Sequence, residues 1–326
     1  MGNVCPFSYC ALRLFTCALF NFFLPFFRRR HMPAFFLFCE KLTKRENHMR
    51  KQNKKQGNAR AHKSGPNFSA QHLLHHPETI RQFIRSARLS SSDTVLDIGA
   101  GKGSLTFPLA DQAGKVIAVE MDAEFVRFLR AKAEGDPRIR IIQGDIRLLR
   151  LPKEAFHVVA NIPFSITTPI LEKLLGPEGR AFQRGMLIIE KGAARRLTQT
   201  EMVDPRLLLW RMHFVLEMRS VIPRTHFAPP PRVDAAVLRI ERRERPLIPI
   251  QQGARFVGFA KLLLREPRIA AVHALKGIFT PAQIKASLKL ANVDREQTVL
   301  SLSMEQWASL FCSMLQHVTP HRWPKG

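Results

Sequence analysis

The stretch Thr94-Val95-Leu96-Asp97-Ile98-Gly99-Ala100-Gly101-Lys102-Gly103-Ser104 constrains this chain more than any other. A short apolar run entering a glycine loop reads as a buried strand turning into a helix. Glycines let the loop turn tightly and let a ligand approach its backbone, while the helix N–H groups face that ligand. The pattern is GxGxG, which is neither the GxGxxG of dinucleotide enzymes nor the GxxxxGK[ST] of phosphate loops. A second strand, Lys115 to Val119, delivers Glu120 twenty-one residues after Gly99, where an acid commonly binds a ribose diol. A third, Ile139 to Gln143, ends at Gly144-Asp145, whose carboxylate suits an adenine amino group. Gly99, Gly101, Glu120 and Asp145 thus line up at successive strand ends as a nucleoside site without pyrophosphate recognition.

A fourth strand, His157 to Ala160, runs into Asn161-Ile162-Pro163-Phe164. Asn161 offers a neutral amide oxygen, and Pro163 restricts Ile162 to extended geometry, which aims the Ile162 carbonyl. Two neutral acceptors beside an aromatic plate suit an amino group on a flat ring. An ordinary β-to-α turn also favours Asn and Pro, so this stretch gains its meaning from the strand ends upstream.

Charge narrows the partner. The 326 residues carry a formal net charge of +25, and a polyanion is expected, either nucleic acid or an anionic membrane surface. With 24 Phe against one Tyr and 3 Trp, a base-stacking ring is expected to be Phe. Four of the five Cys lie before residue 40, which leaves the body with Cys312 alone, without a disulfide framework or a zinc pattern. A reducing, cytoplasmic setting fits, and no metal is expected. His72, His75 and His76 have no carboxylate or Cys partner at ligand spacing and are read as solvated or RNA-facing.

Residues 1–48 are of different material: they hold 10 of the 24 Phe and a basic cluster, Arg28-Arg29-Arg30. A signal peptide, a membrane anchor and a translated upstream leader compete there. The abrupt change of composition favours a natural start at Met49 and makes a membrane role the weaker expectation. Seven basic and two acidic residues lie upstream of Met49, so the remainder still carries +20. Residues 49–66 then form a basic tail, expected to be disordered alone and able to track phosphates.

On Asn67-Phe68 with Gln71, the Asp97-to-Gly103 loop, the Asn161 turn and Phe227-Ala228-Pro229-Pro230-Pro231-Arg232-Val233-Asp234, the sequence resembles the S-adenosylmethionine-dependent rRNA adenine N6-methyltransferases. Within them it looks closest to the Erm macrolide-resistance enzymes, with the KsgA small-subunit enzymes as sister group. The resemblance runs from about Gly65 to the C-terminus. It implies an α/β fold, a Rossmann-like seven-strand sheet over residues 67–245, followed by a small all-α domain over 246–326 that binds RNA. It also implies S-adenosylmethionine as cofactor, held by Asn67, the Ser69 backbone, Gly99, Gly101, Glu120, Asp145 and Asn161. The partner it implies is 23S rRNA, methylated by a monomer at one adenine. Arg232 stands where relatives often have Lys, and Phe164 where the sister group often has Tyr.

The chemistry then follows from the residues. An exocyclic adenine amine is a poor nucleophile because its lone pair is delocalised. If Asn161 and the Ile162 carbonyl accept its two N–H bonds, the nitrogen is drawn towards tetrahedral geometry, and positioning does most of the work. No dedicated base is required. Phe164 would stack the extruded adenine and Phe227 is expected either to flank it or to sit in the core. Thr280-Pro281 and Ser303 with Gln306 mark helix starts in the C-terminal part, where Lys261, Arg265 and Arg268 are candidate RNA contacts or simply solvated. KsgA-type modification of 16S rRNA and a binding factor that has lost the reaction stand as the alternatives.

Overall fold

The computed structural model describes residues 72–201 and 203–324. The leader, the basic tail, Asn67 and Ser69 lie outside the described residues. The order of elements is β1 (Leu73–Leu74), α1 (Pro77–Ser86), β2 (Thr94–Ile98), α2 (Thr106–Ala110), β3 (Lys115–Glu120), α3 (Ala123–Lys132), β4 (Ile139–Gln143), β5 (Phe156–Asn161), α4 (Thr167–Leu175), β6 (Phe182–Glu190), α5 (Lys191–Thr198), α6 (Pro205–His213), β7 (Phe214–Ile222), β8 (Phe227–Ala228) and β9 (Ala235–Arg242). Four longer helical segments complete the chain: α7 (Gly253–Leu263), α8 (Ala271–Ala274), α9 (Pro281–Leu290) and α10 (Met304–His317).

Seven strands form one sheet in the order β4-β3-β2-β5-β6-β9-β7. The five strands from β4 to β6 are parallel, while β9 and β7 join antiparallel. Strands β2, β3 and β4 build outwards from the middle, and the chain then returns to lay β5 on the other side of β2. That reversal opens a crevice at the carboxyl ends of the strands, the usual ligand position in a sheet of this type. The loops after β2, β3, β4 and β5 all open there, so the topology gathers Gly99, Glu120, Asp145 and Asn161 on one edge.

Both sheet faces are covered near that edge, which is why the strands read as nearly continuous apolar runs. Alternate residues of β6 serve opposite cores, with Met186 and Ile188 on the α1 side and Leu187 and Ile189 on the other. The second of these cores continues without a break into the C-terminal helices, where Phe256 and Phe259 meet Trp307 edge-on. Helix α6 joins the two regions by packing on α7 and α10. Helix starts follow their sequence signals. Pro77 opens α1 behind His76, whose Nδ1 accepts from the Thr79 N–H, and both Thr280 with Gln283 and Ser303 with Gln306 close capping boxes.

A second sheet, of two residues per strand, pairs β1 with β8 antiparallel, Leu73 opposite Ala228 and Leu74 opposite Phe227. Two-residue strands carry no periodicity for a sequence to reveal. This small sheet fastens the segment before α1 to the proline loop, and Phe227 pays the consequence in position: its ring is 2% exposed, packed in the α1-side core. The expectation that Phe227 flanks a flipped base is therefore corrected to its other reading, core.

Candidate active site

The glycine loop needs its glycines at identifiable places. Gly101 has φ +53°, and a Cβ there would lie 2.6 Å from Leu73 Cδ2, so a side chain would collide with β1. Gly99 has φ +74° and passes close to the turn after β5, with the Pro163 ring 3.2 Å from where its Cβ would be. The loop is fixed by the acid of the next strand. Glu120 is 4% exposed, and its Oε2 accepts from the Gly101 N–H at 2.8 Å while Oε1 accepts from Met121 and Asp122 N–H at 2.7 and 2.9 Å. A carboxylate oxygen can take two donors, so Oε2 keeps one free lone pair.

Beneath the loop lies an acid that sequence reasoning left out of the site, Asp97. It is 1% exposed on β2 and accepts from the Thr106 hydroxyl at 2.7 Å. Burial pushes its carboxyl up to about 7; the Thr106 hydrogen bond opposes that shift and the nearby Glu120 carboxylate adds to it. Its signal was present, since an acid in the middle of a buried strand is unusual.

Asp145 sits at the end of β4 and lines the same cavity. Its carboxylate is gripped by Arg147, whose Nε lies 3.0 and 2.9 Å from the two oxygens and whose Nη2 lies 2.6 Å from Oδ2. That grip, chiefly its hydrogen bonds, holds the Asp145 carboxyl below the usual range. Arg147 is a second residue that the sequence reading passed over. Its guanidinium is half exposed, and solvent screens a pair of this kind, so a ligand donor can displace it.

Asn161, the last residue of β5, has the most informative geometry. Its Nδ2 donates to the His72 carbonyl at 2.8 Å. Because a carbonyl only accepts, this bond fixes which end of the amide is nitrogen and leaves Oδ1 as the other end. Oδ1 is buried and has no hydrogen-bond partner among the described residues. His72 is itself held, its Nδ1 lying 2.8 Å from the Pro229 carbonyl, so the turn, the segment before α1 and the proline loop are tied in series. The Ile162 side chain is 1% exposed and anchors the turn in the core. Phe164 is half-buried, with its ring 5.9 Å from the His72 ring.

These residues enclose one cavity of about 340 Å³ lined by Gly99, Gly101, Glu120, Asp145, Asn161, Ile162, Pro163 and Phe164. It brings together every candidate site residue among those described except Phe227. No three His, Cys, Asp or Glu side chains group to hold a metal among the described residues; His76 stacks on His226 at 4.0 Å instead. Nor is any helix among the described residues long and apolar enough to cross a membrane.

The family model for ribosomal RNA adenine dimethylase matches residues 62–316. The chain belongs to the ribosomal RNA adenine dimethylase family. As a member it is a methyltransferase. An rRNA adenine N-6-methyltransferase of Bacillus licheniformis is 44% identical over 261 residues, covering 80% of this chain and 91% of that protein. A ribosomal RNA small subunit methyltransferase A of Thermosynechococcus vestitus is 34% identical over 252 residues, covering 74% of this chain and 93% of that protein. Among solved structures, the 23S rRNA methyltransferase ErmE superposes with a TM-score of 0.67 at 28% identity, over 75% of this chain and all of that one. The seven-strand sheet and the helical C-terminal region expected from the dimethylase family are both present.

Proposed function

We propose that this protein methylates the N6 nitrogen of a single adenine in 23S rRNA, on the same nitrogen twice, and so confers macrolide, lincosamide and streptogramin B resistance. The observation that carries this reading is the buried Oδ1 of Asn161, a neutral acceptor that has no partner among the described residues, on a residue that lines a cavity of about 340 Å³. A buried polar atom without a partner is costly, and an amino group arriving from outside is what it lacks. The likeness to the 23S rRNA methyltransferase ErmE supports the 23S target over the small-subunit one.

S-adenosylmethionine fits this cavity and, when bound, supplies a methyl group already activated on a sulfonium sulfur. The spare lone pair on Glu120 Oε2 would take a ribose hydroxyl, and Gly99 and Gly101 would let the cofactor approach the loop backbone. Asp145 would hold the cofactor's adenine amine in place of Arg147. Asn67 and the Ser69 backbone complete the cofactor set through the family resemblance.

At the target end, Asn161 Oδ1 and the Ile162 carbonyl accept the two N–H bonds of the substrate amine. As the nitrogen gains positive charge, these neutral acceptors hold it more strongly than they hold the ground state, which is the source of rate acceleration. Asn161 carries no titratable proton, so its orientation does not change with pH. His72 keeps that orientation through its carbonyl. Phe164, half-buried in the cavity lining, stacks the adenine extruded from its strand.

Incubating the purified protein with tritiated S-adenosylmethionine and separate 23S and 16S rRNA tests the reading, with the modified adenine mapped by primer extension. Label in one 23S adenine, together with erythromycin tolerance in a susceptible host, is the expected result. Label confined to 16S rRNA would move the protein to the small-subunit group, and no label in either would remove the proposed activity.

A further inference from the structure

Two cavities meet at the carboxyl edge of the sheet. The one lined by Asn161 has a neighbour of about 480 Å³, walled by Pro229, Pro230 and Val233 of the proline loop and by Glu190, the last residue of β6. Strand β6 runs parallel beside β5, so this second space opens on the same edge of the sheet as the first. Both spaces are lined by His72 and Phe164. The two rings stand 5.9 Å apart and 45° to one another, which makes a corner where the cavities join.

The His72 ring is held in that corner. Its Nδ1 lies 2.8 Å from the Pro229 carbonyl, and because a carbonyl only accepts, Nδ1 carries the proton and donates. The main-chain carbonyl of the same residue orients the Asn161 amide. Ring and acceptor therefore belong to one tied unit, and a shift of either is felt by the other. With the cofactor in the first cavity, a base that brings its amine to Asn161 from the second passes between Phe164 and His72. Phe227, the other ring that the sequence pattern offers for this purpose, is 2% exposed and lines neither cavity.

We propose that the His72 ring is the second wall of the target-adenine slot: the base stacks on Phe164 and lies against the His72 imidazole, which does what the sequence pattern would assign to Phe227. The proposal rests on the reading of the protein as an enzyme that methylates an adenine of RNA. It places the body of the base in the proline-loop cavity and its amine in the cavity of Asn161. Held between two walls, one of them tied to the residue that accepts its N–H bonds, the amine keeps its aim while the methyl group transfers. Stacking of this kind recognises a flat base by its face, so the choice of adenine is left to the acceptors of the turn.

His72→Asn is the decisive variant. An Asn amide nitrogen reaches about the place of a histidine Nδ1, so the bond to Pro229 is kept, the main-chain carbonyl is untouched and only the ring is lost. Melting temperature and S-adenosylmethionine affinity, the latter by calorimetry, are expected to stand. With an rRNA fragment as substrate, kcat/KM should fall roughly 5- to 150-fold, the loss that removing one stacking ring causes. A fragment carrying 2-aminopurine in place of the target adenine reports the wall directly, because a ring packed on the extruded base damps its fluorescence. The His72→Asn complex should be brighter than the wild-type complex, and His72→Phe, which restores a ring without the Nδ1 donor, should be dimmer than His72→Asn. Should His72→Asn melt early, His72→Phe decides: emission close to wild type supports the wall, and emission well above it overturns the wall. Wild-type kcat/KM and wild-type emission in His72→Asn would overturn it too, as would brightening in Phe227→Leu but not in His72→Asn. Wild-type protein separates this proposal from the one it rests on: no methyl transfer to RNA would count against the proposed function, whereas normal transfer with an unaltered His72→Asn would count against the wall alone.

Discussion

Replacing Asn161 by Ala isolates the group on which the proposed chemistry depends. The substitution removes two things at once, the Nδ2 bond to the His72 carbonyl at 2.8 Å and the free Oδ1 acceptor. The first is a neutral hydrogen bond, worth about 1 kcal/mol to stability, so the fold survives. The second bears on the reaction. A bond from a nitrogen that is becoming cationic is charge-assisted and contributes about 1.5–3 kcal/mol, which is roughly 10- to 150-fold in rate. Loss of the tether also frees the target amine to shift, and a misplacement of about 1 Å costs on the order of 100-fold. Together these place kcat for Asn161→Ala about 10³- to 10⁴-fold below wild type. Single-turnover methyl transfer to an rRNA fragment measures it, with calorimetry expected to show cofactor binding still measurable. Asn161→Asp is the informative companion. It keeps an acceptor oxygen but sets a carboxylate oxygen against the His72 carbonyl, so it should lose the tether while retaining part of the rate. Wild-type turnover in Asn161→Ala would refute the role of the amide.

Asp97→Asn should change how stability depends on pH. A carboxyl raised from 3.8 to about 7 on folding binds its proton more tightly in the folded state. Its contribution is therefore fully present below 3.8 and is lost as pH rises to about 7, with a ceiling of about 4 kcal/mol. The Asn variant should come closest to wild type below pH 3.8, already exceed it at about pH 5 and reach its full lead by about pH 8 in urea unfolding, and a gap that stays constant with pH would exclude this cause. For Glu120→Ala, three N–H donors lose their acceptor, at about 1–3 kcal/mol for each that stays buried, so both melting temperature and cofactor affinity should fall. Glu120→Gln, which keeps one acceptor oxygen, should fall less in both measurements. Gly101→Ala forces a Cβ to within 2.6 Å of Leu73 in left-handed backbone, and a loss of about 1–2 kcal/mol from the backbone alone should accompany weaker cofactor binding by calorimetry.

The sequence by itself determined the architecture and most of the cavity wall. Strand, glycine loop and helix are local patterns, and the periods that mark β2 to β6 arise from burial on both faces, which the residues record directly. Gly99, Gly101, Glu120, Asp145 and Asn161 were legible because each closes a strand, and parallel strands of one sheet bring their carboxyl ends to a common edge. Only the tertiary structure decided the orientation of Asn161, because the partner that fixes its amide, the His72 carbonyl, lies far back in the chain, on a residue whose ring Nδ1 is held by the Pro229 carbonyl. The same small sheet that places His72 also decided Phe227, turning it into the core through a pairing with Leu74 too short to leave a pattern. Asp97 and Arg147 were likewise decided by what surrounds them, burial for one and a neighbouring carboxylate for the other. Local spacing specifies which groups reach the crevice; long-range hydrogen bonds and burial specify which of their atoms are left free to act.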